Sequence, residues 1–137
     1  MTAESPSGLV ESLIDDRPLK VLVIEDNELN RKLFRDLLAA NGYVVLATGD
    51  GEDGYRMARA EQPALIVLDI QLPGASGLDV VGWIKNDAAT REIPVIAVTA
   101  LAMQGDEQRV LAAGCDAYVA KPISCGDFLK TVARFLS

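Results

Sequence analysis

Histidine is absent from this chain of 137 residues, and both cysteine and aromatic residues are scarce. Without histidine, the two cysteines, Cys115 and Cys125, have no partner for a mixed metal site. They also lack the Cys-x-x-Cys spacing of redox and zinc motifs. We therefore expect two free thiols in a reducing cytoplasm.

Basic residues and long apolar runs are also few. The chain has 13 Lys and Arg against 20 Asp and Glu, a formal net charge of -7. A general nucleic-acid binder would show a basic face or stripe, so we expect no nucleic-acid partner. No apolar run approaches the roughly 18 residues that span a bilayer, and the N-terminus does not resemble a signal peptide. We expect a soluble, cytoplasmic protein with no membrane partner.

What the sequence does contain is a fivefold alternation of short apolar runs and amphipathic stretches. Strand followed by helix, repeated with short connections, implies a parallel sheet covered on both faces. We predict an α/β domain of the flavodoxin-like, doubly wound (βα)5 class, with strand order 2-1-3-4-5. The predicted strands are 20–24, 43–46, 64–68, 93–98 and 117–120. The predicted apolar face of the first helix is Leu29, Leu33, Phe34, Leu37 and Leu38.

Residues 1–18 differ from residues 19–137, which we take as the domain. The apolar residues between positions 9 and 14 have helical spacing, and Arg17-Pro18 would end such a helix. A disordered tail is the alternative, since termini are commonly poorly ordered. We expect a short amphipathic helix that docks on this domain or on a neighbouring chain.

Polar side chains follow four of the five predicted strands. Glu25 and Asp26 follow the first, Asp69 the third, Thr99 the fourth and Lys121 the fifth. In the predicted order, strands one and three are neighbours, so three carboxylates share one rim. At an effective dielectric of about 20, two such charges ~5 Å apart repel by roughly 3 kcal/mol, so the rim should bind a proton or a cation. Oxygen ligands without His or Cys favour Mg²⁺.

The pattern resembles the receiver domains of bacterial two-component response regulators over about residues 19–137. The resemblance rests on segments 23–27 (VIEDN), 68–74 (LDIQLPG), 98–100 (VTA) and 121–122 (KP), in the right order and on the right strands. It implies a phosphorelay signalling protein, not an enzyme, that accepts a phosphoryl group on Asp69. The donor would be a sensor histidine kinase or a histidine phosphotransfer protein. A chain without histidine cannot itself be the phosphohistidine donor.

The resemblance also implies a metal site. Asp26 and Asp69 would ligate Mg²⁺, for which Mn²⁺ can substitute, together with the backbone carbonyl of Gln71. Glu25 stands where family members often have Asp, and it would act mainly through a water. Gln71, two residues after Asp69, is also placed to influence the water that hydrolyses the phosphoryl group.

Two further implied roles concern the phosphoryl oxygens and the output. Thr99 and Lys121 would stabilise the phosphoryl group, and the Lys121-Pro122 bond would be cis. Thr99 and Tyr118 would form a switch. The output surface would run from the fourth helix, about 103–114, through the fifth strand and helix. Leu101, Ala102 and Met103, at the leading edge of this surface, would bind a partner or only pack. Segments 25–30, 69–73 and 99–107 are most similar to single-domain cell-division regulators, which implies cell-cycle control.

Each of these residues also has a simpler interpretation. Asp26 could cap the first helix, because Asp is common at that position. Lys121 could be a solvated surface lysine, Thr99 a strand-end hydroxyl, and Tyr118 an ordinary half-buried strand residue. Convergence on one rim is what favours the functional interpretation.

Two rival functions use the same residues differently. Residues 49–54 read Gly-x-Gly-x-x-Gly after a strand, as in dinucleotide-binding domains. The motif's three acidic residues would repel a pyrophosphate, so we interpret its glycines as turn and packing residues and Asp50 as a helix cap. An Mg-dependent phosphohydrolase with an aspartate nucleophile would share Asp69, but Gln71 cannot perform the acid chemistry expected of an Asp at that position.

Overall fold

The computed structural model describes residues 18–72, 74, 76–100 and 106–136. The strands in this part of the chain are β1 (Lys20–Ile24), β2 (Val44–Thr48), β3 (Leu65–Asp69), β4 (Val95–Thr99) and β5 (Ala117–Ala120). The helices are α1 (Glu28–Ala40), α2 (Gly51–Glu61), α3 (Gly77–Lys85), α4 (Asp106–Ala112) and α5 (Cys125–Leu136). The strands form one parallel sheet in the order β2-β1-β3-β4-β5, which confirms the predicted topology. The predicted N-terminal helix and residues 101–105 lie outside the described residues.

Three strands lie one or two residues later than the apolar pattern predicts. Sheet pairing accounts for the difference, because strand β2 continues through Thr48, which pairs with Ile24, and β3 continues through Asp69, which pairs with Val98. Backbone hydrogen bonds therefore carry the strands into polar residues that a hydrophobicity pattern leaves out. Helix α4 is described from Asp106 onward, and it ends at Ala112, two residues before the end of the predicted range 103–114. Gly114, with a φ of +118°, lies outside the conformation of a right-handed helix.

The core lies on both faces of the sheet, because successive strand residues point to opposite sides. Helices α1 and α5 cover one face, where the rings of Phe34 and Phe128 lie 5.0 Å apart between centroids. Helices α2, α3 and α4 cover the other face. Cys115 is buried, Cys125 is exposed, and both are free thiols. No helix in the described ranges is long and apolar enough to cross a membrane.

The prediction that Leu29 belongs to the buried face of α1 is wrong. Leu29 is 79% exposed and Leu33 is 40% exposed, whereas Phe34 and Leu38 are buried. At about 100° per residue, Leu29 lies about 140° around the helix from Phe34, so it falls at the solvent edge of the apolar stripe. Helical spacing identifies a stripe of residues, but it does not show which part of a wide stripe faces the sheet.

Helix α3 approaches the end of strand β3 so closely that only glycine fits at its first position. A Cβ on Gly77 would lie 2.4 Å from the Cα of Ile70 and 2.6 Å from the carbonyl oxygen of Asp69. Both of these are backbone atoms, which cannot move aside as a flexible side chain can.

We expect Gly77→Ala to lower the free energy of unfolding by about 3 kcal/mol, since overpacking against backbone is costly. Gly82→Ala is the matched control, because Gly82 lies in the same helix and a Cβ added there would meet no atom within 4 Å. Better helix propensity should make this control about 0.5–1 kcal/mol more stable than the parent. Urea denaturation measures both, and equal stabilities of the two variants would contradict the close approach.

Candidate functional site

The predicted rim residues come together at the carboxyl ends of four strands. Asp69 is the last residue of β3 and Thr99 the last of β4, while Glu25 directly follows β1 and Lys121 directly follows β5. Glu25, Asp69 and Thr99 are buried and Asp26 is exposed. Such burial of two carboxyl groups is costly unless a cation, a proton or hydrogen bonds compensate it.

Three carboxylates converge within this rim. One oxygen from each of Glu25, Asp26 and Asp69 lies within 4.8 Å of the others. The Lys121 ammonium lies 3.3 Å from Oε1 of Glu25 and 3.4 Å from Oδ2 of Asp69. Although Lys121 is at ion-pair distance, Oε1 of Glu25 is buried and accepts no hydrogen bond from the described residues. An under-coordinated buried oxygen in an all-oxygen cluster fits a hard divalent cation.

The surroundings of Glu25 raise the pKa of its carboxyl group. Its pKa is raised from 4.5 to about 7, first because the carboxyl group is buried. The hydrogen bond that protonated Glu25 can donate to Asp69 and the negative charge of Asp69 act in the same direction, while the Asn27 amide and Lys121 oppose them. A proton on Glu25 therefore relieves the carboxylate repulsion when no cation is bound, and a bound cation should displace that proton.

A pH dependence of stability follows from this pKa. The folded protein holds the Glu25 proton more tightly than the unfolded chain does, so this stabilisation is complete below about pH 4.5 and is lost as the pH rises through about 7. Glu25→Gln mimics the protonated form. In the absence of divalent cations, we expect it to match the parent near pH 4.5 and to be about 3 kcal/mol more stable near pH 8.

Chemical denaturation of both proteins in EDTA across this pH range tests the expectation. The comparison with Glu25→Gln removes the contribution of other titrating groups, which the two proteins share. Parallel stability curves for the two proteins would show that folding does not change the pKa of Glu25.

Backbone contacts hold the acidic groups in place. Oδ1 of Asp69 accepts a hydrogen bond from the Gln71 amide at 2.9 Å, and Oε2 of Glu25 accepts one from the Asn27 amide at 3.2 Å. Oε1 of Gln71 accepts a hydrogen bond from the Ala100 amide at 3.2 Å. The side chain of Gln71 thus connects the segment after β3 to the residue after Thr99.

The alternative in which Asp26 caps helix α1 is wrong. The cap is Asn27, whose Oδ1 accepts a hydrogen bond from the Asn30 amide at 2.9 Å. Asp26 is therefore not committed to the helix, and its carboxylate belongs to the cluster. Asp50, by contrast, does cap α2 by accepting from the Asp53 amide at 2.9 Å, which confirms that part of the interpretation of the glycine motif.

Arg31 is a residue near the site that the sequence did not indicate. Its Nη1 donates to the carbonyl oxygen of Glu25 at 2.9 Å. Arg31 lies on α1, six positions after Glu25, and no motif marks that separation. The contact between Arg31 and Glu25 is seen only in the structure, where helix α1 lies beside the end of strand β1.

Comparison with known proteins now decides the family. The model of the response regulator receiver domain matches residues 21–133. The chain belongs to the response regulator receiver family. The polar-differentiation response regulator DivK of Brucella anthropi is 52% identical over 119 residues, which cover 87% of this chain and 97% of that protein.

Solved structures agree with the assignment to the receiver family. The receiver domain of a sensor histidine kinase from Pseudomonas aeruginosa is 31% identical, with a TM-score of 0.80 and coverage of 86% of this chain and 97% of that one. That crystal structure has a magnesium ion coordinated in its active-site cleft. The chemotaxis regulator CheY4 of Vibrio cholerae, 24% identical with a TM-score of 0.81, has the same fold and covers 86% of this chain and 98% of its own.

The remaining predicted residues of this receiver lie on or after strand β5. The Lys121 amide donates to the Thr99 carbonyl at 2.8 Å, which ties the two strand ends together. The Lys121–Pro122 peptide bond, expected to be cis, is cis in the structure. Tyr118 is half-buried and packs against the core on the side of α2, α3 and α4.

Proposed function

We propose that this receiver accepts one phosphoryl group on Asp69 from a phosphohistidine and then signals through protein contacts. The observation that carries the proposal is that three carboxylates and one lysine ammonium lie together on one rim. A cation site alone needs no lysine, and a lysine paired with one acid needs no further carboxylates. A phosphorylated aspartate with a divalent cation needs both.

Phosphoryl transfer requires the protein to position the reacting groups and to stabilise the charge on the phosphoryl oxygens. One carboxylate oxygen of Asp69 would attack phosphorus as the bond from phosphorus to the donor's imidazole nitrogen breaks, and that electron pair returns to the nitrogen. The Lys121 ammonium, 3.4 Å from Asp69, can meet one equatorial phosphoryl oxygen, and the Thr99 hydroxyl a second. The breakage of the Lys121 pair with Glu25 would free the ammonium for this contact.

Mg²⁺, for which Mn²⁺ can substitute, would supply positive charge for the phosphoryl oxygens when bound. We assign Asp26, Asp69 and the backbone carbonyl of Gln71 as its ligands, and Glu25 as a residue that acts mainly through a water. The acidic cluster and the buried Oε1 of Glu25, which accepts no hydrogen bond from the described residues, support this assignment. The ligand set leaves room for waters and a phosphate oxygen, as Mg²⁺ prefers.

A signalling domain and a phosphohydrolase predict different stoichiometries. Gln71 has no acidic proton to give to a leaving group, and its amide oxygen already accepts from Ala100. With acetyl phosphate and Mg²⁺, we expect one base-labile phosphoryl group per chain, seen by intact-protein mass spectrometry. Consumption of many donor molecules per chain, with no retained group, would favour the phosphohydrolase.

The output would depend on protein partners in the cytoplasm. We propose that Thr99 and Tyr118 couple the phosphoryl group to the face formed by α4, β5 and α5, as a local charge change that biases a two-state element. The likeness to a polar-differentiation regulator supports a role in cell-cycle control. A pull-down with phosphorylated and unphosphorylated protein would identify the partner and test whether it reads the phosphoryl group.

The exposed first turn of α1 offers a contact for the phosphodonor protein. Leu29 is 79% exposed, and the next residue, Asn30, lines a cleft of about 490 Å³ together with Leu33 and Lys121. A protein that brings phosphohistidine to Lys121 must cover this side of the rim. A buried apolar anchor there would stabilise the complex.

We expect Leu29→Glu to slow transfer from a phosphohistidine protein by roughly tenfold, through lost anchoring at the interface. Labelling by acetyl phosphate should be unchanged, because the rim is intact. The matched control is Val44→Glu, since Val44 is 42% exposed at the start of β2, the opposite end of the sheet from the rim. Equal slowing with both donors would indicate damage to the site itself.

A further inference from the structure

A side chain of helix α1 binds the backbone of the acidic segment Glu25-Asp26, which follows strand β1. Nη1 of Arg31 donates to the carbonyl oxygen of Glu25 at 2.9 Å and lies 3.4 Å from the carbonyl oxygen of Asp26. The guanidinium binds the backbone of both acids and leaves their carboxylates to face Asp69. One side chain therefore holds the backbone of both acids of the candidate metal site.

Gly49 provides the space that the Arg31 side chain occupies. A Cβ at position 49 would lie 2.9 Å from Nη1 of Arg31 and 3.3 Å from the Cα of Asp26. The shorter contact is to the end of a flexible side chain, so an added methyl group would displace the guanidinium before it displaced backbone. Gly49 has an ordinary φ, so alanine introduces no backbone strain at this position.

The last glycine of the same motif supports the segment from the other side. A Cβ on Gly54 would lie 2.4 Å from Cδ1 of Ile24, the residue that precedes Glu25. The Glu25 amide in turn donates to the Thr48 carbonyl at 2.9 Å. The first and last glycines of the Gly-x-Gly-x-x-Gly motif thus pack against the end of β1, which explains both of them without a nucleotide.

We propose that Arg31 and Gly49 are positioning residues for the metal site, acting through the backbone of Glu25 and Asp26. The inference rests on the proposed function only in taking those acids as a cation site. Three crowded carboxylates repel one another and tend to move apart. The Arg31 hydrogen bonds oppose this movement because they fix the backbone that carries two of the carboxylates. Outer contacts of this kind preorganise the ligands.

The charge of Arg31 and its hydrogen bonds predict opposite effects on cation binding. As a nearby positive charge, Arg31 would repel a dication, and its removal would tighten binding. As a positioning residue, it favours binding, and its removal should weaken Mg²⁺ affinity roughly tenfold, as for other outer contacts of metal ligands. The direction of the change therefore separates the two roles.

The test is a double-mutant cycle on Mg²⁺ affinity, measured by isothermal titration calorimetry on the full chain. We expect Arg31→Ala and Gly49→Ala each to weaken binding roughly tenfold. The double variant should be no weaker than Arg31→Ala alone, because Gly49→Ala acts by displacing the guanidinium. Arg31→Lys, which keeps a donor, should recover part of the affinity, and Gly82→Ala, with open space around it, should match the parent.

Hydrogen exchange of the Glu25 amide in the metal-free protein provides a second measurement. Faster exchange in both single variants, at unchanged global unfolding free energy, is the result expected of a loosened segment. Unchanged or tighter Mg²⁺ binding in Arg31→Ala would overturn the proposal, and so would fully additive effects in the cycle. Phosphorylation enters none of these measurements, so failure of Asp69 to accept a phosphoryl group would be recognised separately.

Discussion

Asp69→Asn is expected to take up no phosphoryl group from acetyl phosphate and Mg²⁺, whereas the parent takes up one. The amide keeps the shape of the side chain at the end of β3 but has no charged oxygen to attack phosphorus. Glu25 should respond as well, because the hydrogen bond and charge of Asp69 contribute to its raised pKa. Loss of labelling should therefore accompany a lower pKa of Glu25.

Intact-protein mass spectrometry measures the uptake, and brief exposure to base should remove the group, as for any acyl phosphate. Asp36→Asn is the matched control, since Asp36 is an exposed carboxylate paired with Lys32 on α1, away from the cluster. It changes the net charge equally and should label like the parent. Persistent labelling of Asp69→Asn would reject Asp69 as the acceptor.

Asp26→Ala is expected to reduce Mg²⁺ affinity by about a hundredfold or more, because loss of a direct ligand should cost at least as much as the largest losses seen for residues that only orient ligands. The variant should stay folded and be no less stable without metal. Asp26 caps no helix, and its removal relieves the repulsion with Glu25 and Asp69. Loss of metal affinity with retained stability would be the signature of a binding residue.

Calorimetric titration and urea denaturation of the same sample separate the two effects. Asp36→Ala serves as the control, because it removes one surface carboxylate and should leave Mg²⁺ affinity unchanged. A large drop in unfolding free energy in Asp26→Ala, at unchanged Mg²⁺ affinity, would instead make Asp26 a structural residue. The loss of Mg²⁺ affinity in Asp26→Ala should exceed the loss in Arg31→Ala, because Asp26 is a ligand and Arg31 only positions it.

Local patterns predicted the elements of this fold well, and their errors have local causes. Unbroken apolar runs mark strands buried on both faces, which is why the strand order and the rim could be proposed from them. The same patterns misplaced Leu29, because a wide apolar stripe on a helix does not show which part of it faces the sheet. They also offered Asp26 as the cap of α1, a position that Asn27 occupies in the structure, since Asp and Asn both favour it.

By itself, the sequence determined which chemical groups follow each strand and, through the alternation of strand and helix, that they share one rim. The tertiary structure decided how they meet. Lys121 reaches both Glu25 and Asp69, the burial of Glu25 raises its pKa, and Arg31 fits against Gly49. Hydrophobic periodicity is a property of neighbouring residues, whereas distances and protonation depend on register, burial and packing between residues far apart in the chain.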